Sequence, residues 1–302
     1  MLSPRMVPAL TAALALGLVL SLPAIAQQDW DAATIETVQV TDGIAMLVGP
    51  GGNVGVSTGA DGVFLIDDEY GQVNTKVLGA IQKLSSDPIR FVINTHWHDD
   101  HTGGNKDLAS TGSVIVAHEG VRRRMAAGQV IEAFGMNVPP APPEALPVIT
   151  FTDAVTFHRN GDDIHVFHVA PAHTDGDSVI RFEKANVIHT GDLYFNGFYP
   201  FIDTSSGGSI EGMIAGVDRI LEIADDSTKI IPGHGPLSNP QELKAYRTML
   251  ETVRDRVAKL KAEGKSADEV VAAKPTADLD EVWGKGFLPP DIFVKLVYDG
   301  MK

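Results

Sequence analysis

Apolar residues along this chain fall into short runs with two different periods. Between Ile35 and Asp68, runs of four to six residues rich in apolar positions are separated by glycine turns: Thr37–Val40, Ile44–Val48, Asn53–Val56 and Gly62–Asp67. Short runs bounded by turn residues predict strands. The period then changes. Val77, Leu78, Ile81 and Leu84 share one face at helical spacing, which predicts an amphipathic helix. A buried strand follows at Phe91–Asn94, then a histidine-rich turn, a helix, and a strand at Ser113–Val116. Residues Phe134 to Pro147 are rich in proline and lack a period, so they predict a surface loop.

The second half repeats this order. Strands are expected at Ala154–His158, Ile164–Val169, Ser178–Phe182 and Val187–His189. Helices follow at Ser209–Ala224, Pro240–Glu263, Ala267–Ala273 and from Pro290, with a strand at Lys229–Pro232 between the first two. Two successive halves, each of strands then helices, predict an α/β fold of four layers, an αβ/βα sandwich. No linker separates the halves, so residues 27–302 are expected to form a single domain.

Residues 1–26 stand apart from this pattern. Arg5 precedes an apolar run from Val7 to Leu22, and Ala24-Ile25-Ala26 has the small-x-small form of a cleavage site. This predicts a secretory signal peptide cut before Gln27. The run is short for a bilayer core of ~30 Å and has no basic stop-transfer flank. The mature protein is therefore expected in the periplasm or secreted, with no membrane attachment after cleavage. Losing Arg5 from 24 basic residues leaves 23 against 39 acidic ones, a net charge of −16. Such a surface repels phosphate backbones and argues for a small-molecule substrate rather than nucleic acid. There is no cysteine, which fits an oxidising compartment and leaves nitrogen and oxygen as the metal donors.

The densest chemistry lies in Thr95-His96-Trp97-His98-Asp99-Asp100-His101-Thr102-Gly103-Gly104-Asn105. His96 and His98 project to one side of an extended segment, because side chains alternate with period two. Asp100 and His101 follow where the backbone turns towards a helix. Three imidazoles and a carboxylate within six residues suit zinc. Three later turns, each after an expected strand, add one donor apiece: His173 in Pro171–Asp177, Asp192 in Thr190–Phe195, and His234 in Pro232–Gly235.

These motifs, in this order across Asp67 to Gly235, resemble the metallo-β-lactamase superfamily, whose signature is H-x-H-x-D-H followed by a later His, an Asp in a G-D turn and a G-H-G turn. The resemblance implies a two-zinc site, with donors that also suit iron or manganese. His96, His98 and His173 would hold the first metal and Asp100, His101 and His234 the second, with Asp192 bridging them. It implies Asp100 as the catalytic carboxylate that orients the nucleophile, and Asp67 as the carboxylate that orients a metal-bound histidine, with Asp68 the alternative.

The resemblance also bears on the substrate. Where cysteine-containing zinc β-lactamases carry a thiolate and, three residues on, a lysine, this chain has Asp192 and Phe195. An aspartate there is typical of thioesterases, lactonases and general hydrolases of the superfamily. The export signal favours β-lactam opening by hydroxide generated on the metal pair, weak or promiscuous, with a lactone, ester or thioester as the alternative. An iron-dependent oxidoreductase such as a persulfide dioxygenase ranks third. Arg122, Arg123 and Arg124 are the nearest cations that could meet a carboxylate, or are simply exposed. His118, His158, His165 and His168 read as strand or surface positions, His118 as solvated. His189 lies close enough to Asp192 to support it. Trp97 and Tyr194 either line the pocket or pack in the core.

Overall fold

Glycine turns and β-branched runs build the first sheet. In the computed structural model, which describes residues 29–301, β1 (Glu36–Thr41), β2 (Ile44–Val48), β3 (Val54–Gly59) and β4 (Gly62–Ile66) form an antiparallel meander. The expected signal peptide, residues 1–26, lies outside the described residues. Helix α1 (Asn74–Leu84) then carries the chain across to β5 (Ile89–Asn94), which pairs parallel to β4. Two short helices, α2 (Asp99–Thr102) and α3 (Asn105–Ser110), lead to β6 (Val114–His118). After α4 (Glu119–Ala127) and a hairpin of β7 (Gln129–Ile131) and β8 (Met136–Val138), β9 (Ile149–Phe151) completes a sheet of order β1-β2-β3-β4-β5-β6-β9.

The second sheet is a meander of β10 (Ala154–Arg159), β11 (Asp162–His168), β12 (Ser178–Phe182) and β13 (Val187–His189), closed by the parallel β14 (Lys229–Ile231). Helix α5 (Ile210–Ile223) connects β13 to β14, and α6 (Pro240–Ala262), α7 (Ala267–Ala272), α8 (Asp280–Trp283) and α9 (Pro290–Gly300) follow. Ser209 caps α5 and Asn239 caps α6, whose first position is Pro240, so both helices start where their sequences favour it.

Burial arranges these parts in layers. Met46, Phe64, Ile66 and Ile93 of the first sheet pack against Ile164, Val166, Ile180 and Phe182 of the second. The opposite face of the first sheet covers Val77 and Ile81 of α1, and that of the second covers Met213 and Val217 of α5 and Leu250 of α6. The order helix, sheet, sheet, helix is the four-layer sandwich. Among the described residues, no helix is long and apolar enough to cross a membrane.

Two local readings need correction. The segment Phe134–Pro147 is not wholly irregular, because Met136–Val138 pairs back on Gln129–Ile131 as a hairpin. The single helix expected after the histidines is two short ones, divided at Gly103-Gly104. Gly103 could not be otherwise: a Cβ there would lie 2.4 Å from the Gly71 nitrogen. Gly55-Val56-Ser57-Thr58-Gly59 has the spacing of a serine nucleophile elbow but lies wholly within β3, with Ser57 buried. An elbow needs a sharp strand-to-helix turn, so Ser57 is a strand residue.

Candidate metal centre

The seven predicted donors converge at the carboxyl ends of strands from both sheets, where open α/β sheets place their ligands. β5 delivers His96, His98, Asp100 and His101, the β11–β12 loop His173, the turn after β13 Asp192, and the turn after β14 His234. Their donor atoms form two groups. Those of His96, His98, His173 and Asp192 lie within 4.8 Å of one another, as do those of Asp100, His101 and His234. Asp192 sits between the groups: Oδ2 is 3.7 Å from His96 Nε2, 3.4 Å from His173 Nε2 and 3.3 Å from His234 Nε2, and Oδ1 is 3.2 Å from His101 Nε2. Asp100 Oδ2 is 3.3 Å from His234 Nε2.

The donor set fits a divalent cation. His96 Nε2 is buried without any hydrogen-bond partner, an arrangement that is costly unless something else binds the lone pair. His98 Nδ1 and His173 Nε2 face one another at 2.9 Å, so two basic nitrogens aim at one point. Imidazoles and carboxylates without thiolate match zinc and its neighbours.

Outer hydrogen bonds fix which nitrogen of each ring faces inward. Asp67 Oδ2 accepts from His101 Nδ1 at 2.8 Å and from the Thr95 hydroxyl at 2.8 Å, while Oδ1 accepts from the Thr95 amide. Thr95 Oγ1 in turn lies 3.0 Å from His96 Nδ1. Asp68 instead accepts from the Gly104 amide, so Asp67 is the carboxylate on the ring. His173 Nδ1 donates to the Phe201 carbonyl at 2.8 Å. His98 Nε2 donates to Asp203 Oδ2 at 3.1 Å. Such partners orient a ligating imidazole and raise its basicity.

Electrostatics divide the imidazoles. Burial, reinforced by the charge on His101, holds His96 well below the ordinary histidine range, and burial takes His173 down to about 4. Burial also works against charge on His101 and His234, yet Asp192 and Asp100 overcome it, raising His101 well above its usual value and His234 to about 9. Asp192 stays well below the carboxylate range despite burial because His234 and His101 face it. Asp100 is drawn down to about 2, burial opposing and His101 and His234 prevailing. Carboxylates and imidazoles thus face one another across the site, and a divalent cation bound there would displace imidazolium protons.

Asp203 had no signal in the sequence, since it lies 105 residues from His98 outside any motif. Its carboxylate also accepts from Ser205 and Ser206, and Trp97 Nε1 donates to Ser206 Oγ at 3.1 Å. Trp97, buried and 4.5 Å from the His98 ring, therefore supports that imidazole. Asp177, in the His173 turn, accepts from the amides of His173 and Thr174 at 2.7 and 2.9 Å. Asn53 clasps the His234 turn through the carbonyls of Pro232 and Gly235.

Other residues are placed away from the chemistry. His118 is buried rather than solvated, stacked 3.8 Å from His168 and capping α4 through the Gly120 amide. His189 touches no donor; it accepts from the Gly191 amide and donates to the Asn53 carbonyl, joining two of the site's loops. Tyr194 is core, its hydroxyl held by Asn196 and Ser238. The three arginines are engaged elsewhere: Arg124 forks onto Asp175, Arg122 donates to the Pro147 carbonyl, and Arg123 pairs with Glu119.

A family model described as the metallo-beta-lactamase superfamily matches residues 37–263. A hydroxyacylglutathione hydrolase of Pelagibacter ubique is 26% identical over 150 residues, covering 48% of this chain and 52% of that protein. The chain spans about half the length of the curated relatives it matches. Among solved structures, a metallo-beta-lactamase from Pontibacter korlensis superposes with a TM-score of 0.61 at 19% identity, over 72% of this chain and 99% of that one. A stereoselective inverting sec-alkylsulfatase from a Pseudomonas species superposes with a TM-score of 0.68 at 17% identity, over 88% of this chain and 50% of that one.

Proposed function

The chain belongs to the metallo-β-lactamase superfamily, and from its site we propose a binuclear zinc hydrolase that splits an acyl bond by addition of water. The observation that carries this reading is the pair of donor groups with Asp192 between them. His96, His98, His173 and Asp192 would hold one ion, and Asp100, His101 and His234 the other, sharing Asp192. Bound there, divalent metals supply Lewis-acid polarisation of the scissile bond and acidify water towards neutrality.

The chain's own groups do the rest. Asp100 Oδ2, 3.3 Å from His234 Nε2 at the more exposed edge of the centre, would help hold one ion and accept the hydrogen bond that aligns the attacking water. Asp67, Thr95 and Asp203 keep the imidazoles in register. Water adds its hydroxyl to the acyl carbon, and its second proton leaves with the departing oxygen, sulfur or nitrogen.

Neutral esters and lactones fit best. A β-lactam antibiotic brings a carboxylate, and the three arginines of α4 that could meet it are engaged with Asp175, the Pro147 carbonyl and Glu119. Cyclic-amide opening is the second reading, favoured by the signal peptide expected at the N-terminus. Purified protein, analysed for metal and assayed with a lactone panel and a chromogenic cephalosporin, separates the two. Turnover that requires zinc and falls at least 100-fold in Asp100→Ala, an estimate of the order expected for a group aligning the nucleophile, supports the hydrolase reading. One iron per chain without hydrolysis overturns it.

A further inference from the structure

The donor groups are not equally accessible. His96, His98, His101, His173 and Asp192 have side chains exposed by 8% or less, whereas His234 is 15% and Asp100 18% exposed. Substrate therefore reaches the centre past His234 and Asp100. On the His234 side the approach is aromatic. Phe195 stacks on the His234 ring at 5.0 Å and 12°. Phe287 lies 6.3 Å from both rings, and Phe198 5.8 Å from Phe195 and 6.3 Å from Phe287.

Phe287 is 58% exposed, although a phenyl ring loses solvation free energy whenever it is left in water. Single exposed apolar residues are ordinary, but one continuous with the buried Phe195 and the half-buried Phe198 beside a candidate reaction centre marks a contact surface. The loop that bears it is pinned. A Cβ on Gly286 would lie 2.6 Å from Phe198 Cβ, so the backbone rests directly on that side chain. On the Asp100 side, Gly51 packs between Asp100 and Tyr70, and the Tyr70 ring lies 5.1 Å from Trp30. Glu69 is buried there, its carboxylate accepting from the Gly51 and Tyr70 amides.

We infer that Phe287, with Phe198 and Phe195 behind it, forms a subsite for an apolar acyl or alkyl group of a neutral substrate beside His234. The inference rests on the hydrolase reading and specifies its substrate class. The aromatic wall stabilises a hydrocarbon group by removing it from water. Phe287 thereby sets specificity by chain length.

A series of p-nitrophenyl esters from acetate to hexanoate, with the zinc-loaded protein, tests this. Each methylene that enters the subsite should raise kcat/KM by up to about fourfold, so hexanoate should exceed acetate by at least about tenfold. Phe287→Ala should flatten the series, Phe287→Leu should restore most of its slope, and Val148→Ala, at an exposed position outside the site, should leave it as it is. A flat series in the parent protein, or an unchanged slope in Phe287→Ala, overturns the inference. Absence of turnover even with acetate would count against the hydrolase reading instead. Calorimetric titration then decides the subsite by itself: octanohydroxamate should bind at least about tenfold more tightly than acetohydroxamate, a preference lost in Phe287→Ala. Equal affinities for the two would overturn the proposal.

Discussion

Replacing Asp203 with alanine should weaken one metal position and spare the other. Asp203 is 1% exposed and accepts from His98 Nε2 at 3.1 Å. That bond keeps the proton on Nε2 and leaves the Nδ1 lone pair facing His173 Nε2. Burial opposes charge on Asp203, but hydrogen bonds from His98, Ser205 and Ser206 hold it below the usual carboxylate range, so the bond is charge-assisted. Losing such a bond costs about 1.5–3 kcal/mol. Expressed as affinity, this is about 10- to 100-fold in zinc binding at the His96, His98 and His173 group. Asp203→Asn keeps an acceptor without the charge and should fall at the lower end. The assay is competition for zinc against a fluorescent chelator, with circular dichroism to show that the variant folds. A folded Asp203→Ala protein that binds two equivalents with parental affinities would show that Asp203 does not support His98 as a ligand.

Other substitutions test the remaining supports. Asp67→Asn should weaken zinc at the Asp100, His101 and His234 group by about 10- to 100-fold, whereas Asp68→Asn, facing the Gly104 amide, should not; the same competition assay compares them. Gly52→Ala places a Cβ 2.2 Å from His101 Cε1, against a ring that Asp67 holds fixed. It should remove zinc from that group in a protein that still folds, as metal analysis would show. His189 gives a pH dependence. Burial lowers it from 6.5 to about 4, so in this window the unfolded chain binds the extra proton and stability rises with pH. Chelator-stripped protein should lose about 2 kcal/mol from this group between pH 8 and pH 5. Urea unfolding should find that component absent in His189→Gln; an identical pH profile would remove His189 as its source.

The fold was largely legible because its strands and long helices announce themselves by period and punctuation. Ile44–Val48, the α1 face of Val77 and Ile81, and the capped starts of α5 and α6 are local signals. β9 and α8, of three and four residues, are too short to show a period, whereas the equally short β13 and β14 are marked by apolar runs, and the β7–β8 hairpin is hidden among prolines. At the site the same division holds. His96 to His101 are contiguous, and His173, Asp192 and His234 each follow a strand in a glycine-bearing turn. Asp203, Asp177 and Asn53 act through contacts fixed only by folding. His118 misled because a histidine at a strand end reads as solvated, while its burial comes from stacking on His168, 50 residues away in sequence.

If the two donor groups form one binuclear catalytic centre, titration of chelator-stripped protein with zinc, followed by hydrolysis of a p-nitrophenyl ester, shows it directly. Activity should be absent without metal and reach its plateau at two equivalents per chain, with Asp192→Ala unable to reach it. A plateau at one equivalent, or full activity in the metal-free protein, would contradict it.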